Sequence, residues 1–263
     1  VTDSETPTPG IPAKRPRRGL RIVWWVLGVL GALIVIAVVG IVIWSQVGVY
    51  QAEAEPLAEV RENAAIEIAD TSAGIVFSPA DGESEVGLVF IPGAKVDPWA
   101  YADKLSSTVE AGVTVVITRP WLNLAFFDLR PLSAFTELAS DVDTWIVGGH
   151  SLGGVRACQL SADADALALF ASYCAADISA SGLPVLSIAG SEDGLSTPEK
   201  IADARPLLPG DAEMEELPGA SHSSFGDYGP QDGDGTPSIS DDDMRAALGE
   251  LMSEFAGQLE AAE

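Results

Sequence analysis

Apolar and polar positions divide the chain into two regimes. Residues 22–44 run through Val, Ile, Leu, Gly and Trp without one charged side chain. A helix of that length rises about 34 Å, enough to cross a hydrocarbon core about 30 Å thick. From residue 74 onward, short β-type runs alternate with stretches of helical period. The β-type runs lie at 74–78, 86–91, 113–118, 144–148, 166–173, 185–189 and 212–217. Several are continuously apolar, as strands buried on both faces of a parallel sheet must be. Helical spacing is predicted over 99–110, within 122–140, and over 152–161, 198–207 and 241–259. The last of these follows Ser240 and opens with three aspartates, which suit an N-cap and the positive end of the helix dipole. Residues 51–69, acidic and Ala-rich, read as one more helix. The alternation predicts an open α/β sheet with helices on both faces.

Charge sharpens the division. The 263 residues contain 39 acidic and 14 basic side chains, a net of −25. Residues 1–21 hold five basic and two acidic ones, a net of +3, whereas everything from Tyr50 onward nets −28. A basic cluster just before an apolar span places the N-terminus in the cytoplasm and the remainder outside. Trp24, Trp25 and Trp44 mark the two ends of the span as interfacial aromatics do. The competing reading is a cleaved secretory signal, whose apolar core is shorter, about 7–15 residues, and for which Ala52-Glu53-Ala54 is a faint cleavage site. Both readings put the domain outside the cytoplasm. The expected organisation is a basic tail over 1–21, a transmembrane signal anchor over 22–44, a partly helical linker over 45–72 and an α/β domain over 73–263. The acidity excludes a nucleic-acid binder, which needs clustered Lys and Arg. Cys158 and Cys174 are the only cysteines. An oxidising compartment permits a disulfide between them, and spacing alone leaves two free thiols equally open.

Gly149-His150-Ser151-Leu152-Gly153 fits the G-x-S-x-G pattern. Alone it is a weak signal. Here it follows the apolar run Thr144-Trp145-Ile146-Val147 and opens a helical stretch, the strand–turn–helix corner that exposes a serine hydroxyl beside backbone N–H groups. A serine nucleophile needs a base. His150 adjoins the serine within the turn, so its side chain is expected to point away, which leaves His222 after the last β-type run. The base in turn needs a carboxylate. Asp193, after the run at 185–189, is the candidate, with Glu192 as the neighbouring alternative. Pro92-Gly93-Ala94-Lys95 follows the run at 86–91 and is either a plain turn or an oxyanion loop. In the second case the N–H groups of Ala94 and Leu152 form the oxyanion hole. Lys95 reads as a surface residue, and Asp232-Gly233-Asp234 as a solvated turn whose spacing lacks the EF-hand series.

These motifs, together with Gly190-Ser191-Glu192-Asp193-Gly194, Ser221-His222 and the run Phe225-Gly226-Asp227-Tyr228-Gly229, resemble the α/β-hydrolase superfamily. The resemblance is closest to a small bacterial branch related to dienelactone hydrolases, from which the chain departs by carrying Ser rather than Cys as nucleophile. It implies an α/β-hydrolase fold and a Ser151–His222–Asp193 triad. About ten residues separate the runs at 166–173 and 185–189, too few for a cap domain. The expectation is a membrane-anchored serine hydrolase acting without metal or organic cofactor on small or cell-envelope esters. A peptidase or thioesterase with the same triad, and a silent binding domain, are the alternatives.

Overall fold

The computed structural model describes residues 18–82 and 84–261. The tail expected over 1–21, with Lys14, Arg15 and Arg17, lies mostly outside the described residues. The chain divides into two units, 1–44 and 45–263. The first consists of most of helix α1 (Arg18–Gln46), whose stretch Arg21–Gln46 is long and apolar enough to cross a membrane.

The second unit is built on an eight-stranded sheet. Its strands are β1 (Ile66–Asp70), β2 (Gly74–Pro79), β3 (Val86–Ile91), β4 (Thr114–Thr118), β5 (Thr144–His150), β6 (Ala166–Phe170), β7 (Val185–Gly190) and β8 (Glu213–Leu217). Their order is β1-β2-β4-β3-β5-β6-β7-β8. β1 pairs antiparallel with β2, and β2 with β4; every other pairing is parallel. Helices α2 (Ala54–Glu62), α3 (Ser106–Glu110), α4 (Ser133–Thr136), α5 (Leu152–Leu160), α6 (Pro198–Ala204) and α7 (Asp241–Glu260) complete the unit.

The central strands are continuously apolar because each face meets its own core. Leu88, Phe90, Ile146 and Phe170 belong to one apolar cluster that also holds Met244, Leu248, Met252 and Phe255 of α7. The intervening residues Val89, Ile91, Val147 and Leu169 face α5 and Phe135. Strand alternation thus produces two apolar layers from one unbroken run. β8, at one sheet edge, instead exposes Glu215 and Glu216, charges that blunt an open edge against pairing.

Several expectations change, among them the helix read over 198–207, which is α6 to Ala204 and then a 3-10 turn (Arg205–Leu207). The helix read over 51–69 is α2 followed by a turn and then β1. Ile66 and Ile68 flank Glu67 at period two, and antiparallel pairing with Pro79, Ser78 and Phe77 of β2 overrides the helical preference of the alanines. The helix read over 99–110 is a 3-10 turn (Pro98–Tyr101) and the short α3. The stretch within 122–140 contains two 3-10 turns and only α4 as α-helix. The two cysteines are joined, Cys158 on α5 to Cys174 after β6. β6 ends at Phe170, and residues 171–184 form a plain connection to β7 without a helix.

Candidate active site

In a parallel sheet the C-terminal ends of the strands lie along one edge, and the chemistry gathers there. Ile91 of β3 is in register with Gly149 of β5, and His150 with Phe170 of β6. The loops after β3, β5, β7 and β8 therefore emerge side by side.

Ser151 sits between β5 and α5 at φ 52° and ψ −120°, left-handed backbone that a side-chain-bearing residue rarely adopts. Its N–H donates to the Phe170 carbonyl at 3.1 Å, extending the sheet one residue past the strand. The turn is tight enough that a Cβ on Gly149 would come within 2.6 Å of the Ile91 carbonyl oxygen, and one on Gly153 would overlap that oxygen outright. The glycines of the motif are thus there for close approach. Strain of this kind persists only where its surroundings hold it, and here the two flanking elements do so.

His222 opens a 3-10 turn (His222–Phe225) capped by Ser221, whose hydroxyl and that of Ser224 satisfy each other's backbone N–H groups. Its ring is buried, and Nδ1 lies 2.8 Å from Asp193 Oδ2. The second carboxylate oxygen of Asp193 accepts the N–H groups of Leu195 and Ser196, each at 2.7 Å. Both oxygens are therefore committed, and the carboxylate is fixed in place. Glu192 is exposed, and the carboxylate that meets the His222 ring is that of Asp193. With Nδ1–H donated to Asp193, the ring's Nε2 is left as the basic nitrogen. Nε2 makes no hydrogen bond among the described residues, and neither does Ser151 Oγ.

His150 is not a bystander. It is buried, with its ring centroid 4.4 Å from that of His222. Nε2 lies 3.1 Å from the His222 carbonyl and Nδ1 3.0 Å from the Tyr101 hydroxyl, which accepts the Gly93 N–H at 2.9 Å. One donor direction satisfies every group: Gly93 N–H to Tyr101, Tyr101 O–H to Nδ1, and Nε2–H to the carbonyl. Burial, aided by the neighbouring His222, holds the His150 imidazole well below its ordinary pKa, so it stays neutral as that chain requires. Tyr101 is pushed far above the usual phenol range by burial and remains a donor. The chain ties the loop after β3 to the loop bearing His222.

Neither the Ala94 nor the Leu152 N–H has a hydrogen-bond acceptor among the described residues, whereas the flanking Gly93 and Lys95 N–H groups do, in Tyr101 and Asn123. Unpartnered, half-buried donors at a strand end are what an oxyanion site requires. Lys95 is half-buried, its backbone at φ 58° and its carbonyl accepting from Tyr50.

Asp234, expected in a solvated turn, is tied into the site. It accepts the N–H groups of His222 at 3.0 Å, Ser223 at 2.8 Å and Gly194 at 3.2 Å, bridging the histidine loop to the loop that carries Asp193. Partial burial works against its charge, yet the bonds from Ser223 and His222 hold its carboxyl below the usual range. Only its place in an Asp-Gly-rich segment marked it in the sequence.

Comparison with known proteins fits this architecture. No curated protein matches the chain. Among solved structures, the esterase domain of a Rhodothermus marinus protein superposes with a TM-score of 0.55 at 16% identity, covering 73% of this chain and 98% of that one. At that identity the likeness speaks for the fold. Residues 87–246 match the profile described as "Alpha/beta hydrolase family". That match spans more than half of the chain, from β3 through the histidine loop, and the chain belongs to the alpha/beta hydrolase family.

Proposed function

We propose that the chain is a membrane-anchored, extracytoplasmic serine esterase. The observation that carries this reading is the buried His222–Asp193 pair, at 2.8 Å, on the sheet edge where Ser151 is held in a left-handed turn. Ser151 Oγ attacks the ester carbonyl while His222 Nε2 takes its proton. The oxyanion falls to the Ala94 and Leu152 N–H groups, and the imidazolium formed is stabilised by Asp193. His222 then protonates the leaving alcohol, and water repeats the attack on the acyl-enzyme. The uncapped connection over 171–184 favours small or cell-envelope esters over long-chain lipids. The esterase neighbour agrees with ester hydrolysis, and the 225–229 segment resembles the dienelactone-hydrolase branch. For topology, the apolar span 22–44, inside the stretch Arg21–Gln46 that is long and apolar enough to cross a membrane, serves as the anchor, and the basic residues before it keep the N-terminus inside. The domain organisation follows: tail over 1–21, anchor over 22–44, linker over 45–72 and enzyme over 73–263.

The test is labelling of the full chain, in detergent, with a fluorophosphonate probe. Wild type is expected to label and to hydrolyse p-nitrophenyl acetate, and Ser151→Ala to do neither. Labelling that survives in Ser151→Ala, or never appears in wild type, overturns the assignment.

A further inference from the structure

Outside the active site, the largest exposed aromatic cluster on the catalytic domain lies in the loop after β4. Trp121 is 52% and Leu129 76% exposed, with Phe126 and Phe127 about half exposed between them. Single exposed apolar residues need no explanation, whereas four in nine residues on one loop do. Consecutive left-handed residues Leu122 and Asn123, each with φ near 55–58°, turn the backbone there.

Two further observations say what covers this loop. The first is its place in the chain. Asn123 Nδ2 donates to the carbonyl of Ser45 at 3.1 Å, and Ser45 directly follows Trp44, the last residue of the apolar span. The loop therefore stands where the chain enters the domain from the anchor. The second is charge. No acidic residue occurs between Glu110 and Asp128, and the two arginines of 119–130 are each paired, Arg119 with Asp70 and Arg130 with Asp128, so this loop is near neutral in a domain that nets −28 from Tyr50 onward. Arg130 pairs with Asp128 and lies 5.8 Å from the Trp121 ring centroid, so a cation sits against the aromatic surface. Trp, Phe and Leu beside Arg is the composition of a membrane interface, and the rest of this acidic surface would be repelled by anionic lipid.

We propose that residues 121–129 are the surface on which the catalytic domain rests against the outer leaflet of the membrane its own helix crosses, a reading that depends on the anchor proposed above. The same loop accepts the Lys95 N–H through the Asn123 carbonyl at 2.8 Å, next to Ala94. Docking there brings the oxyanion side of the site to the lipid headgroups, where envelope esters reside.

The test uses the full chain reconstituted in vesicles of phosphatidylethanolamine and phosphatidylglycerol. Leu129→Cys and, on the exposed face of α7, Glu250→Cys are each labelled with an NBD fluorophore, the native cysteines being held in their disulfide. Doxyl-labelled phosphatidylcholine is expected to quench the label at 129 at least threefold more than the label at 250. Adding Phe126→Ser with Phe127→Ser should bring the two sites level. Equal quenching in the otherwise native chain overturns the docking. So does a signal at 129 that tracks protein-to-lipid ratio rather than doxyl content, which marks a second copy of the chain as the occupant. Alkaline carbonate extraction separates the two readings: release of the chain from vesicles defeats the anchor and the docking together, while retention with equal quenching defeats the docking alone.

Discussion

At the scale of single residues, the candidate site is a set of committed hydrogen bonds. Asp193 has both oxygens engaged, one by His222 and the other by two backbone N–H groups, while Glu192, one residue away, is exposed. Asp193→Asn preserves size but presents the wrong partner to Nδ1–H, and is expected to lower kcat on p-nitrophenyl acetate by about 10⁴-fold. Glu192→Gln should leave kcat within about twofold of wild type, the size of effect an exposed charge has. Steady-state kinetics on the two variants decide between the acids. Ser151, Asp193 and His222 were all legible in the sequence, because nucleophile, acid and base each follow a β-type run in a recognisable order. His150, Tyr101 and Asp234 were not. Their roles rest on contacts between residues 49, 72 and 12 positions apart, which no local pattern encodes.

At the scale of elements, the decisive unit is the turn from β5 to α5. The sequence marks it by glycines on either side of Ser151, and the structure shows what they avoid: the carbonyl of Ile91 at the end of the neighbouring strand. A methyl group on Gly153 has no room there, since the obstacle is backbone. Gly153→Ala is therefore expected to destabilise the domain by about 2–3 kcal/mol, within the range of overpacking penalties, and to abolish fluorophosphonate labelling. Thermal unfolding of the full chain in detergent measures the first effect and gel fluorescence the second. The strands read at 74–78, 86–91, 113–118, 144–148 and 185–189 appear with small changes at their ends, since unbroken apolar runs leave little choice of register. β1 escaped because an edge strand is made by its partner, and its own Ala- and Glu-containing sequence favours helix nearly as well.

At the scale of the whole molecule, a buried ionic group joins the histidine loop to the outer helices. Lys104 is fully buried and pairs with Asp227, with Asp241 at 3.1 Å and Asp103 at 3.8 Å; Arg245 of α7 binds Asp103 at 2.8 Å. Asp227 Oδ2 has no partner among the described residues. Burial pushes the Asp227 carboxyl up to about 6 in spite of Lys104. The folded state therefore holds this proton more tightly than the unfolded chain, so the stability Asp227 contributes is full at low pH and is lost as pH rises through about 6. Relative to Asp227→Asn, which does not titrate, wild type should be more stable at pH 4.5 than at pH 7.5 by about 2 kcal/mol. Urea unfolding of both proteins in detergent at the two pH values checks the sign, and a difference that grows with pH would contradict it.

The sequence by itself determined the class of fold, the apolar N-terminal span and the identities of the candidate nucleophile and base, and narrowed the acid to two neighbouring residues. Each depends on local periodicity or on a short motif at a strand end, and both are properties of neighbouring residues. Only the tertiary structure decided between Asp193 and Glu192, joined Cys158 to Cys174, turned residues 66–70 into an edge strand and drew His150 and Asp234 into the site. Those outcomes depend on which distant segments meet, and that is set by the packing of two apolar layers on either side of one sheet rather than by any stretch of chain alone.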